Sequence, residues 1–101
     1  MITKNQLKSK PVCKVTFKLS EKEANSAKKV NIVGEFNNWN INATPMKKLK
    51  SGAFTATVDL TQGKEHQFRY LMDNTDWGND PTADKAVPTP YEDSENSVII
   101  A

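Results

Sequence analysis

The stretch FTATVDLTQGKEHQFRYLMD, residues 54–73, decides the fold. Its first seven residues alternate, with Phe54, Ala56, Val58 and Leu60 on one side and Thr55, Thr57 and Asp59 on the other. Thr61-Gln62-Gly63-Lys64 then supplies turn chemistry. A second alternation follows, setting Phe68, Tyr70 and Met72 against Gln67, Arg69 and Leu71. Successive side chains of a strand point to opposite faces, so a period of two predicts strands with one face on a core. Arg69 then projects outward from a rigid strand as a fork of hydrogen-bond donors.

The rest of the chain repeats this signal in short pieces. VCKVTFKL (12–19) places Cys13, Val15, Phe17 and Leu19 on one face, and VNIVGEF (30–36) does the same with Val30 and Ile32. Gly34 marks a bend or a close approach of backbone. MKKLKSG (46–52) holds Met46 and Leu49 before a turn at Ser51-Gly52, and NSVII (96–100) reads as a last strand. KEANSAKK (22–29) is polar and reads as a loop, or as one helical turn within 21–28. PTADKAVPTP (81–90) is punctuated by proline and expected to be irregular. No segment sustains a helical period beyond two turns. The pattern predicts an all-β chain, an Ig-like (early-set) antiparallel β-sandwich of about seven strands. The domain is expected over 11–101, after a flexible basic leader, 1–10, that carries Lys4, Lys8 and Lys10.

Composition excludes several functions. The chain has 101 residues, 37% hydrophobic, with fourteen Lys+Arg against twelve Asp+Glu. That is one domain's worth of chain, and a net charge of +2 is too balanced for nucleic acid or an anionic membrane as partner. No apolar run approaches the roughly 18–20 residues of a membrane span. MITKNQLKSKPV at the start has no apolar signal segment, and the lone Cys13 fits a reducing compartment, so the cytoplasm is expected.

Catalytic chemistry has little support. The only histidine, His66, enters a strand after a turn, and no serine or cysteine sits in a nucleophile context. Most acids lie in turns and polar loops, where solvated charge is the ordinary reading. DNTDWGNDPTAD (73–84) echoes a calcium loop with Asp at its first and twelfth positions and Gly at its sixth. Its third and fifth positions are Thr75 and Trp77, however, and tryptophan cannot ligate calcium. No catalytic residue, metal or cofactor is expected.

Recognition has better support. Trp39 sits in GEFNNWN (34–40) among asparagines, and Trp77 lies among Asp76, Gly78, Asn79 and Asp80. Each is placed at a strand end in polar surroundings, where a core tryptophan would sit inside an apolar alternation. Capping the ends of the core is the alternative role. Two tryptophans in matching contexts, with Arg69 facing outward, point to flat platforms beside hydrogen-bond donors. A pyranose ring fits such a site, with C–H groups on the indole and hydroxyls at its rim. Single-stranded nucleic acid uses similar platforms, but Asp73, Asp76, Asp80 and Asp84 around Trp77 would repel phosphates.

VNIVGEFNNWN, MKKLKSGAFTATVDLTQGKEHQFRYLMD, the following Trp77 with Asn79-Asp80-Pro81, and NSVII together resemble family 48 carbohydrate-binding modules. These include the glycogen-binding domains of AMP-activated protein kinase β-subunits and the N-terminal modules of branching and debranching enzymes. The resemblance spans about residues 12 to 101. It implies non-catalytic binding of α-1,4-linked glucan (glycogen, starch or maltodextrin), with Trp39 and Trp77 as the sugar-stacking pair. Arg69 stands where the family often has a lysine, and Asn96 matches an asparagine that bonds glucose hydroxyls. The family's leucine-bearing loop is replaced by VPTPYEDSE (87–95), where Tyr91 is the nearest large side chain and Ser94 falls near a ligand-contacting threonine. The alternative that the resemblance leaves open is a protein-interaction module with a vestigial sugar site, serving a kinase-like or glucan-metabolising enzyme partner.

Overall fold

The computed structural model describes residues 2–6, 11–24, 27–89 and 94–101. Nine strands form among them: β1 (Ile2–Gln6), β2 (Val12–Leu19), β3 (Val30–Gly34), β4 (Lys47–Lys48), β5 (Phe54–Thr61), β6 (Glu65–Met72), β7 (Asp76–Gly78), β8 (Lys85–Pro88) and β9 (Glu95–Ile100). They make two antiparallel sheets, β1-β2-β5-β4 and β3-β6-β9-β8, with β7 joined to β6. The all-β sandwich expected from the alternation is the fold observed.

The two alternating runs within 54–73 part company. β5 pairs with β2 and β6 with β3, so the turn at Thr61–Lys64 carries the chain from one sheet to the other. Gly63 sits in that turn with φ +76, a conformation glycine adopts without strain. Between the sheets, Cys13, Val15 and Phe17 of β2 meet Ile32 of β3 and Phe68 and Tyr70 of β6, all fully buried. The Phe17 ring meets Phe68 edge-on at 5.1 Å, and Phe68 meets Tyr70 in the same way at 5.6 Å. Such pairs add about 0.5–1.5 kcal/mol each beyond area burial.

Two expectations are corrected. Residues 2–6, assigned to a flexible leader, form β1 along the edge of the first sheet, in register from Ile2–Phe17 to Gln6–Cys13. The strand was hidden because Ile2 is its only large apolar residue. Edge strands use such charged sequences to discourage further pairing, and Lys4 reaches the carboxylate of Asp84 at 2.8 Å. Residues 85–88, expected to be irregular, form β8 on the edge of the second sheet. Pro88 is tolerated there because an edge strand has one side that needs no N–H donor. With β4 and β7, each two or three residues long, these raise the count above about seven.

The outer side of the second sheet is where sequence and structure meet. Cross-strand partners share a face, so Asn31, Leu71 and Trp77 stand in one row, Val33 beside Arg69 in the next, and Gln67 beside Val98 beyond. Val33, Leu71 and Val98 are buried although they point away from the main core. This face is therefore a second apolar floor beneath polar groups.

Candidate functional site

The loop after β3 presents Trp39. Glu35–Asn37 form one 3-10 turn, and Asn37 fastens it: its Oδ1 accepts the Gly34 N–H at 3.0 Å, while its Nδ2 donates to the Ile32 carbonyl and the Thr44 hydroxyl. Phe36 packs against the core beside Phe17. Asn38 and Trp39 then both take left-handed backbone, φ +56 and +58. Asparagine tolerates that region; a bulky aromatic there is strained. The Trp39 N–H donates to the Gly34 carbonyl at 2.8 Å and helps hold the residue there. Strained backbone of this kind concentrates at functional sites. Gly34 is needed for a different reason. Its φ is extended, but an added Cβ would lie 2.6 Å from the Gln67 carbonyl oxygen and 2.9 Å from Phe68.

Trp77 arrives from the other side. Asp73 and Asn74, both with positive φ, turn β6 into β7, and the Thr75 N–H closes the turn on the Met72 carbonyl. Two left-handed central residues are what a type I′ turn requires, and Asp and Asn suit it. Trp77 is thus set directly across from Leu71, on the sheet's outer face and not at the end of the sandwich. It is 49% exposed, and Trp39 is 40% exposed.

Trp39, Arg69, Trp77 and Asn96 line one open cleft of about 430 Å³ on this face. All four had been singled out from sequence. Arg69 Nε donates to Asn96 Oδ1 at 2.6 Å, and Asn96 Nδ2 donates to Gln67 Oε1 at 2.9 Å, so the polar side of the cleft is a linked chain. Glu35, Gln67 and Thr89 complete the lining and were not singled out. Gln67 was legible by parity, since it shares the outward face of Arg69. Glu35 was not, because its place depends on the 3-10 turn.

The family described as carbohydrate-binding module 48 (isoamylase N-terminal domain) matches residues 13–91. This chain belongs to that family. A search of curated proteins gives no match. As a carbohydrate-binding module, the chain has a glycan as its class of ligand, and modules of this kind are in general non-catalytic.

The remaining candidate positions of the module are placed less centrally. Ser94 is half-buried, and its hydroxyl pairs with that of Thr89. Tyr91 lies outside the described residues. Three of the four acids of the calcium-like stretch are engaged by protein donors. Asp73 Oδ1 accepts the N–H groups of Lys28 and Lys29, and Asp84 accepts from Lys4 and Ile100. Asp80, buried, takes the Tyr70 hydroxyl at 2.6 Å and both Thr82 donors. Burial first, and then the Asp80 carboxylate, push the Tyr70 phenol far above its ordinary range, so it stays a donor. No helix among the described residues is long and apolar enough to cross a membrane.

Proposed function

We propose that this module binds α-1,4-linked glucan, such as glycogen, starch or maltodextrin, without turning it over. The observation that carries the reading is the convergence of Trp39 and Trp77 on one open cleft with Arg69 and Asn96 at its polar side. Each indole offers an apolar face to the C–H side of a glucose ring. The guanidinium and amide donate to hydroxyls at the rim. By analogy with base stacking, each platform contributes about 1–3 kcal/mol. A shallow, open site of this kind binds weakly, with a Kd of ~10 µM to 1 mM, or about −4 to −7 kcal/mol.

The description of the family as an isoamylase N-terminal domain supports a place beside a glucan-metabolising catalytic module. A reducing, cytoplasmic setting goes with Cys13, a fully buried free thiol.

Titration with maltoheptaose, followed by intrinsic tryptophan fluorescence, tests the reading. Saturable quenching, together with retarded migration in an amylopectin-containing native gel, is the expected result. A spectrum and a mobility both indifferent to glucan would refute it.

A further inference from the structure

The cleft's polar inventory is lopsided. Arginine and the indole N–H only donate. Of the two amide oxygens, Asn96 Oδ1 already accepts from Arg69 and Gln67 Oε1 already accepts from Asn96. The Thr89 hydroxyl is shared with that of Ser94. A sugar hydroxyl brings lone pairs and also one hydrogen, and that hydrogen left unpaired in a partly dried site costs affinity. Each amide oxygen keeps one lone pair, but among the described residues lining the cleft the single carboxylate is the stronger, charged acceptor. Glu35 Oε1 accepts the Gln67 N–H at 2.7 Å, which anchors one oxygen of the group. Its second oxygen, Oε2, is bonded to no described residue. Glu35 and Arg69 line the same cleft without forming an ion pair, so neither charge is spent on the other.

We propose that Glu35 is a further ligand-binding and specificity-determining residue of this site. Its Oε2 accepts a hydroxyl hydrogen from a glucose unit held by the tryptophans, while Arg69 donates to a neighbouring hydroxyl oxygen. A fixed acceptor and a fixed donor read the hydroxyl pattern of the ring without reorganising on binding. The same negative charge acts against glucan that carries phosphate, because it offsets the attraction Arg69 would otherwise exert. The site is thereby tuned to neutral glucan. This inference rests on the glucan reading above and adds to it the class of glucan selected.

Glu35→Gln tests it, since the amide oxygen still accepts the Gln67 N–H and the loop is kept. Binding of maltoheptaose and of a maltooligosaccharide bearing a glucose 6-phosphate is measured by calorimetry on wild type, Glu35→Gln and Glu35→Ala. Loss of a charged acceptor is expected to weaken maltoheptaose about three- to tenfold in Glu35→Gln. The ratio of phosphorylated to neutral affinity is expected to rise by roughly threefold or more, an effect that fades with added salt. Equal losses for both ligands, found only in Glu35→Ala, would mean that Glu35 merely clamps Gln67 and would overturn the inference. Wild-type binding with an unchanged Glu35→Gln overturns it alone. A wild-type protein that binds neither sugar overturns the glucan reading, and this inference with it.

Discussion

Arg69 and Asn96 are 27 residues apart in sequence and are joined by a 2.6 Å hydrogen bond from Nε to Oδ1. They come from neighbouring strands, β6 and β9, on the outer face of one sheet. The bond engages the guanidinium through Nε, and its terminal nitrogens have no bond to a described residue. Arg69→Ala and Asn96→Ala are each expected to weaken maltoheptaose binding about five- to thirtyfold, and the double variant by less than the product. A double-mutant cycle read by calorimetry checks this; strict additivity would show the two residues acting separately.

Trp77 is half exposed and sits on a three-residue strand, so removing its side chain leaves the sandwich core untouched. Trp77→Ala is expected to lose roughly ten- to a hundredfold in glucan affinity, corresponding to about 1–3 kcal/mol for one stacking platform. The thermal unfolding midpoint is expected to fall by only a few degrees. A collapse in stability with binding intact in the folded fraction would assign Trp77 to structure.

Gly34 and Gly63 are expected to respond differently to alanine. At Gly34 the obstacle is space, since the new Cβ would press on the Gln67 carbonyl and on Phe68. Gly34→Ala is expected to cost more than about 2 kcal/mol, because β3 and β6 are already packed together. At Gly63 the surroundings are open and only the positive φ resists, for about 1 kcal/mol. Urea denaturation of the two variants distinguishes them, and equal losses would contradict the steric account.

Asp84 links the termini of the fold and gives stability a pH dependence. Burial raises its carboxyl, but the Ile100 N–H and the Lys4 ammonium outweigh that and hold it below the ordinary carboxylate value. A lowered folded pKa means that the unfolded chain binds the proton more readily. The contribution is therefore present above about pH 4 and is lost as pH falls through the folded value. Both side chains are about one-third exposed, so the effect is modest and screened by salt. Asp84→Asn is expected to flatten the decline in urea midpoint below pH 4. An unaltered acid limb would place the sensitivity elsewhere.

The alternation of β2, β5 and β6 was legible residue by residue, because each carries large apolar groups at every second position. So was the outward direction of Arg69, which follows from parity once Phe68 and Tyr70 are inside. β1 and β8 were not legible. An edge strand needs only one partner and one weakly apolar side, so ITKNQ and KAVP carry no strong pattern. The asparagines of GEFNNWN illustrate the same limit. They mark a polar setting for Trp39, yet Asn37 places its amide on the loop's own backbone and Asn38 supplies a left-handed turn.

By itself, then, the sequence determined the all-β class, the core-facing residues and two tryptophans too polar in their surroundings to be ordinary core. Those follow from local periodicity and composition, which need no knowledge of distant partners. Only the tertiary structure decided that Trp39 and Trp77 share one cleft, that Asn96 steadies Arg69, and that Glu35 stands among them. Each of those facts depends on cross-strand register and on a strained turn, and both are set by packing between segments far apart in the chain.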